Sequence, residues 1–120
     1  MTFSGDSYFA NTKKDAMFTL RTMLKFRKAY LQNAPATDPL ASPLHATHHN
    51  LPPLYFQVSS SELLRDSSVL AAQKAQSEGV AVKLEMYPGM PHCFALLAPA
   101  LPESRKATQS AISFINTLVG

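Results

Sequence analysis

The chain has 120 residues, 46% hydrophobic and 16% charged, a balance that suits one globular domain and excludes a disordered one. Mean hydropathy is −0.06 with no run of membrane-spanning length, and residues 1–6 lack the basic start and apolar stretch of a signal peptide. Net charge is +3 and Cys93 is the sole cysteine, so no internal disulfide exists and a reducing cytoplasm is the expected compartment.

Residues 1–11 are short, polar and aromatic, with Gly5 and Asn11 as turn formers, and read as a loop. A first helix is predicted over 12–32. Thr12 with Asp15 three residues on makes a capping box, and Met17, Leu20, Leu24 and Leu31 share one face. Six of the eleven basic residues lie between Lys13 and Lys28, interleaved with that apolar series, and read as a solvated outer face. No zinc ligand set, RNA-binding aromatic pattern or helix-turn-helix signature accompanies them, so no nucleic-acid partner is expected. Residues 33–53 are irregular and proline-rich. His45, His48 and His49 lie there without a cysteine or a rigid frame, and read as a solvated loop rather than a zinc site.

Leu54-Tyr55-Phe56-Gln57-Val58 is an apolar run of strand length, suited to burial on both faces of a parallel sheet. A second helix is predicted over 66–77, capped by Asp66 and closed by Gly79, with Val69, Leu70, Ala72 and Ala75 packing. Residues 80–87 alternate, placing Val80, Val82, Leu84 and Met86 on one face and Ala81, Lys83 and Glu85 on the other. That pattern predicts a half-exposed strand with its apolar face inward. Tyr87-Pro88-Gly89-Met90-Pro91-His92-Cys93-Phe94 then holds His92 on a punctuated loop, with Cys93 as a small packing residue. A short apolar piece follows, and a last helix is predicted over 103–119 with Ala107, Ala111, Ile115 and Leu118 buried. The fold class is therefore α/β: two parallel strands with three main helices, arranged as a βαβ crossover under a C-terminal helix. Two strands leave two open edges and an uncovered apolar face, so the chain reads as part of a larger sheet.

In parallel α/β sheets functional groups collect at the carboxyl ends of the strands. Glu62 follows the first strand and His92 the second. Neighbouring strands lie about 4.8 Å apart, so a carboxylate on one loop can reach an imidazole on the next. A carboxylate on Nδ1 fixes the tautomer and stabilises the imidazolium that forms when Nε2 takes a proton. Glu62 and His92 thus make two-thirds of an acid–histidine–nucleophile triad.

Residues 51–58, 61–66 and 87–94, together with Ser42-Pro43-Leu44, Leu101-Pro102-Glu103-Ser104-Arg105 and Ser4-Gly5-Asp6-Ser7, carry a specific likeness. They resemble the C-terminal part of the hormone-sensitive-lipase-like group of α/β-hydrolase esterases, and the likeness covers essentially the whole chain. It implies a partial α/β-hydrolase domain over 1–120 and hydrolysis of short-chain carboxylic esters without a cofactor or metal. His92 matches the family's catalytic histidine. Glu62 falls at its catalytic acid, in a motif usually written Asp-Pro-Leu-x-Asp, with Asp66 as the rival acid four residues on. The resemblance also places Met17, Phe18 and Met23 near the acyl pocket, where core packing is the competing role. The family's Gly-Asp-Ser-Ala-Gly elbow and His-Gly-Gly-Gly oxyanion loop do not occur in this sequence. Gly5-Asp6-Ser7 is no elbow, because Phe9 stands where the tight turn needs a small residue, and Ser7 reads as an ordinary loop hydroxyl. The expectation is the C-terminal segment of a serine carboxylesterase, inactive alone, that acts on a small ester once an N-terminal part completes it. The competing expectation is a degenerate, non-catalytic module that serves as a binding or assembly partner.

Overall fold

The computed structural model describes residues 2–120. Strand β1 (Leu54–Ser59) begins directly after Pro52-Pro53, whose missing N–H groups could not have joined a ladder. Strand β2 (Val82–Tyr87) stops at Pro88-Gly89 for the same reason, with Gly89 at φ 70°. The two pair in parallel, from Leu54 opposite Val82 to Ser59 opposite Tyr87. Among the described residues they are the whole sheet.

Helix α3 (Arg65–Ser77) makes the crossover between them. It ends as predicted on Gly79, at φ 85°. Gly79 N–H donates to the Gln76 carbonyl and Val80 N–H to the Ala75 carbonyl, a Schellman closure that turns the chain into β2. Its start differs from expectation: Leu64 is the cap and Asp66 lies in the first turn. Helix α4 (Phe94–Leu97) is a single turn, and α5 (Pro102–Val119) opens on a proline whose fixed φ suits a first helical residue.

Successive strand residues point to opposite faces. Tyr55 meets Phe114 of α5 at 5.1 Å between ring centroids, and Gln57 Nε2 donates to the Ala107 carbonyl at 2.6 Å. Phe56 faces the other way, toward Ser67, Ser68 and Ala71 of α3. Helices α3 and α5 therefore cover opposite faces. On β2 this reverses the predicted sidedness: Glu85 and Tyr87 lie under α5, while Leu84 and Met86 are exposed. Glu85 tolerates the inner face because its carboxylate accepts hydrogen bonds from Tyr55 (2.5 Å) and Tyr87 (2.8 Å) and pairs with Lys83 Nζ (2.9 Å).

The N-terminal region also departs from the predicted single helix. A short α1 (Ser7–Ala10) is followed by turns, and α2 (Leu20–Leu31) begins only at Thr19, whose hydroxyl accepts from Thr22 N–H at 3.1 Å. The Thr12–Asp15 box does not form. Thr12 Oγ1 donates back to the Tyr8 carbonyl, and Asp15 bonds elsewhere. On α2, Met23 and Leu31 are buried, while Leu24, assigned to the packing face, is exposed. On α5 the buried side is Ser104 and Ala107, with Ile115 54% and Leu118 49% exposed against the expected burial.

Two apolar clusters result. Tyr8, Met23 and Leu63 pack with Phe3, Phe18, Leu20 and Leu64, and Tyr87, Phe94 and Ala107 pack with Met90 and Ala95. The radius of gyration is 15.2 Å. A self-contained domain of this length would measure about 13.6 Å, so the chain is more spread than a closed globule.

Candidate active site

The register that sets Ser59 opposite Tyr87 releases two loops side by side. Ser60 N–H donates to the Tyr87 carbonyl at 2.9 Å and Gly89 N–H to Ser60 Oγ at 3.4 Å, so the loops remain bonded beyond the sheet. Glu62 sits three residues past β1 and is buried, with 5% of its side chain exposed. One carboxylate oxygen accepts Ser59 N–H at 2.7 Å. The other lies 2.7 Å from His92 Nδ1. An ionised carboxylate only accepts hydrogen bonds, so this contact places the imidazole proton on Nδ1 and leaves Nε2 as the basic nitrogen.

The His92 loop is held at both ends. Tyr87 and Phe94 meet at 4.9 Å between ring centroids, and Ser104 Oγ donates to the Phe94 carbonyl at 2.9 Å. Between them Cys93 takes a left-handed conformation at φ 55°, which costs an L-residue on the order of 1 kcal/mol. Cys93 is exposed, not a packing residue; Phe94 is the one that packs. Gln57, Glu62, His92, Cys93, Phe94, Ala95 and Leu96 line a cleft of about 210 Å³.

Asp66 has different partners. Its carboxylate accepts Ser7 N–H at 2.9 Å and pairs with Arg65 Nε at 2.7 Å. The Arg65 hydrogen bond, aided by the Ser7 amide, holds it below the usual carboxylate range. Ser7 is no ordinary loop hydroxyl: it is fully buried, donates to the Leu63 carbonyl at 2.6 Å and accepts Asp66 N–H at 3.1 Å. Asn11, equally buried, donates to the carbonyls of Ser60 and Glu62, each at 2.8 Å. Of the three residues assigned to the acyl-pocket region, Met23 is core, Met17 is exposed, and Phe18 packs its ring 5.3 Å from the His92 ring centroid. Ser7, Asn11 and Asp15 all support the Glu62 loop. Only side-chain type hinted at this, since Asn and Asp readily bond to backbone groups in turns.

Below the site, burial would raise Glu85, yet the Tyr55, Lys83 and Tyr87 contacts outweigh it and hold the carboxyl at about 2. Burial and the same carboxylate push the Tyr87 phenol up to about 12. Among the described residues the three loop histidines form no metal-binding group, although His48 and His49 both bond Glu78. His45 Nε2 meets Thr2 Oγ1, and His49 Nδ1 meets the Glu78 carbonyl at 3.0 Å. His48 donates its N–H to the Glu78 carboxylate and is buried, so the solvated-loop expectation fails for this residue.

Residues 2–96 match the family described as alpha/beta hydrolase fold. An acetyl-hydrolase of Streptomyces hygroscopicus is 33% identical over 116 residues, which are 97% of this chain and 39% of the relative. The carboxylesterase/phospholipase LipF of Mycobacterium tuberculosis is 32% identical over 88% of this chain and 30% of its own length. The crystal structure of an esterase from the bacterial hormone-sensitive lipase family superposes with a TM-score of 0.92 at 32% identity, covering 98% of this chain and 39% of that one. This chain thus spans less than two-fifths of each of these three relatives.

Proposed function

Because the chain belongs to the alpha/beta hydrolase fold family, among its hormone-sensitive-lipase-like esterases, we propose that it supplies the acid and the histidine of a serine carboxylesterase. The observation that carries this reading is the 2.7 Å contact between buried Glu62 and His92 Nδ1 at the carboxyl end of the sheet. Glu62 orients the ring and stabilises the imidazolium. His92 Nε2 takes the proton of a serine hydroxyl carried by another stretch of polypeptide as that oxygen attacks the ester carbonyl. It then returns the proton to the leaving alkoxide, and in the second half activates the water that cleaves the acyl-serine. The cleft beside His92 suits a small acyl or alcohol group.

The sequence holds neither elbow nor oxyanion loop, and each lost oxyanion donor costs about 3–4 kcal/mol of transition-state stabilisation. The chain by itself therefore has no useful turnover. The test is a chimera in which residues 1–120 replace the matching segment of the Streptomyces acetyl-hydrolase. It is expected to hydrolyse a short-chain p-nitrophenyl ester and to lose that activity with His92→Ala. A folded chimera without esterase activity, or one indifferent to His92, supports the non-catalytic module instead.

A further inference from the structure

Asp15 stands at a junction that the pair alone does not explain. One carboxylate oxygen accepts the N–H groups of Met17 (2.8 Å) and Phe18 (2.9 Å), and the other accepts Leu63 N–H at 2.8 Å. Asp15 and Leu63 are 48 residues apart in sequence, so the segment bearing Phe18 and the segment bearing Glu62 share this one side chain. At Leu63 it holds the N–H of the same peptide whose carbonyl, that of Glu62, accepts from Asn11. At Phe18 it fixes the residue whose ring lies 5.3 Å from the imidazole, tilted by 57°. The acid is thus braced through its backbone and the imidazole by the ring packed against it.

We propose that Asp15 is a positioning residue for the Glu62–His92 pair, acting through the Leu63 amide on one side and the Phe18 ring on the other. The proposal rests on the catalytic reading of that pair, but its geometric content is tested without turnover. Three charge-assisted hydrogen bonds from one carboxylate form a stiffer bracket than neutral contacts would, because each is shorter and about twice as strong. Asparagine at this position keeps one acceptor oxygen and turns an NH2 toward amide donors, so at least one arm of the bracket opens.

The experiment uses isotope-labelled chain 1–120 and reads the downfield Nδ1 proton of His92, identified by its loss in His92→Ala and in Glu62→Gln. In Asp15→Asn that proton is expected to exchange with water at least about tenfold faster, the factor that one lost charge-assisted bond is worth. Leu63 amide exchange rises with it, and the Phe18–His92 cross-ring contacts weaken. Phe18→Ala, at a half-buried position, serves as the second variant: it should speed Nδ1 exchange while leaving Leu63 unchanged. An Nδ1 proton as protected in Asp15→Asn as in the parent overturns the proposal. So does an unfolded Asp15→Asn beside a Phe18→Ala with unaltered Nδ1 exchange, since Asp15 would then hold the fold and not the pair. An inactive chimera with the exchange response intact would refute the catalytic reading while leaving the bracket standing.

Discussion

Replacing Glu85 by glutamine tests whether the polar network under α5 holds the floor of the site. The carboxylate joins Tyr55 of β1 to Lys83 and Tyr87 of β2, and Tyr87 in turn packs its ring against Phe94 at the far end of the His92 loop. Its depression from 4.5 to about 2 sets a ceiling of about 3 kcal/mol on the pH-linked stabilisation, at roughly 1.4 kcal/mol per unit. A quarter of the side chain faces water, 26% by area, so solvent screening reduces this to about 1–2 kcal/mol. The folded-state value is depressed, so the stabilisation is complete above the unfolded value of 4.5 and is lost as pH falls from there through about 2. Urea unfolding followed by circular dichroism should show Glu85→Gln destabilised by that amount at neutral pH. The gap to the parent should shrink to about a quarter of its size near pH 2.5. Other carboxyls titrate in both proteins and cancel in the difference. A gap of the same size at both pH values, or none at neutral pH, would show that the Glu85 charge does not stabilise the fold.

Two glycines with positive φ separate strain from space. Gly79→Ala, at φ 85° with open surroundings, should cost about 1 kcal/mol in urea unfolding, the left-handed penalty alone. Gly5→Ala, at φ 90°, would also set a Cβ 2.3 Å from Asp66 Cβ, and should cost about 2 kcal/mol or more. Ser7→Ala removes a buried hydroxyl that bonds Leu63 and Asp66, so unfolding should register a loss of about 1–2 kcal/mol. In the chimera the same variant should lower turnover by no more than about tenfold, the worth of one bond to the Glu62 loop. Lost turnover with normal stability would instead make Ser7 a participant in the chemistry.

The parts of the fold legible in the sequence are those whose signals are local. Pro52-Pro53 and Pro88-Gly89 bound the strands, and Gly79 closes α3 where a left-handed residue was expected. The spacing of Glu62 and His92 from the strand ends could be read because a parallel register forces neighbouring loops together. What misled was decided at a distance. The alternation in β2 counts only apolarity, and could not show that Tyr55, thirty residues away, would satisfy Glu85 on the inner face. Thr12 and Asp15 have helix-capping spacing, yet Asn11 is committed to the 60–62 backbone and Asp15 to Leu63, so the chain turns there instead of coiling. The helical pattern of Ile115 and Leu118 promises burial, but among the described residues their side of α5 remains open.

Glu62→Gln and Asp66→Asn, compared in the esterase chimera by kcat on one short-chain ester, decide which carboxylate orients His92. With Glu62 orienting His92, Glu62→Gln should lower kcat by roughly 10³–10⁴, the scale seen when a triad acid becomes an amide. Asp66→Asn, which loosens contacts with Ser7 and Arg65, should change stability more than kcat. The reverse order, with Glu62→Gln near parental turnover and Asp66→Asn inactive, would make Asp66 and not Glu62 the acid of the pair.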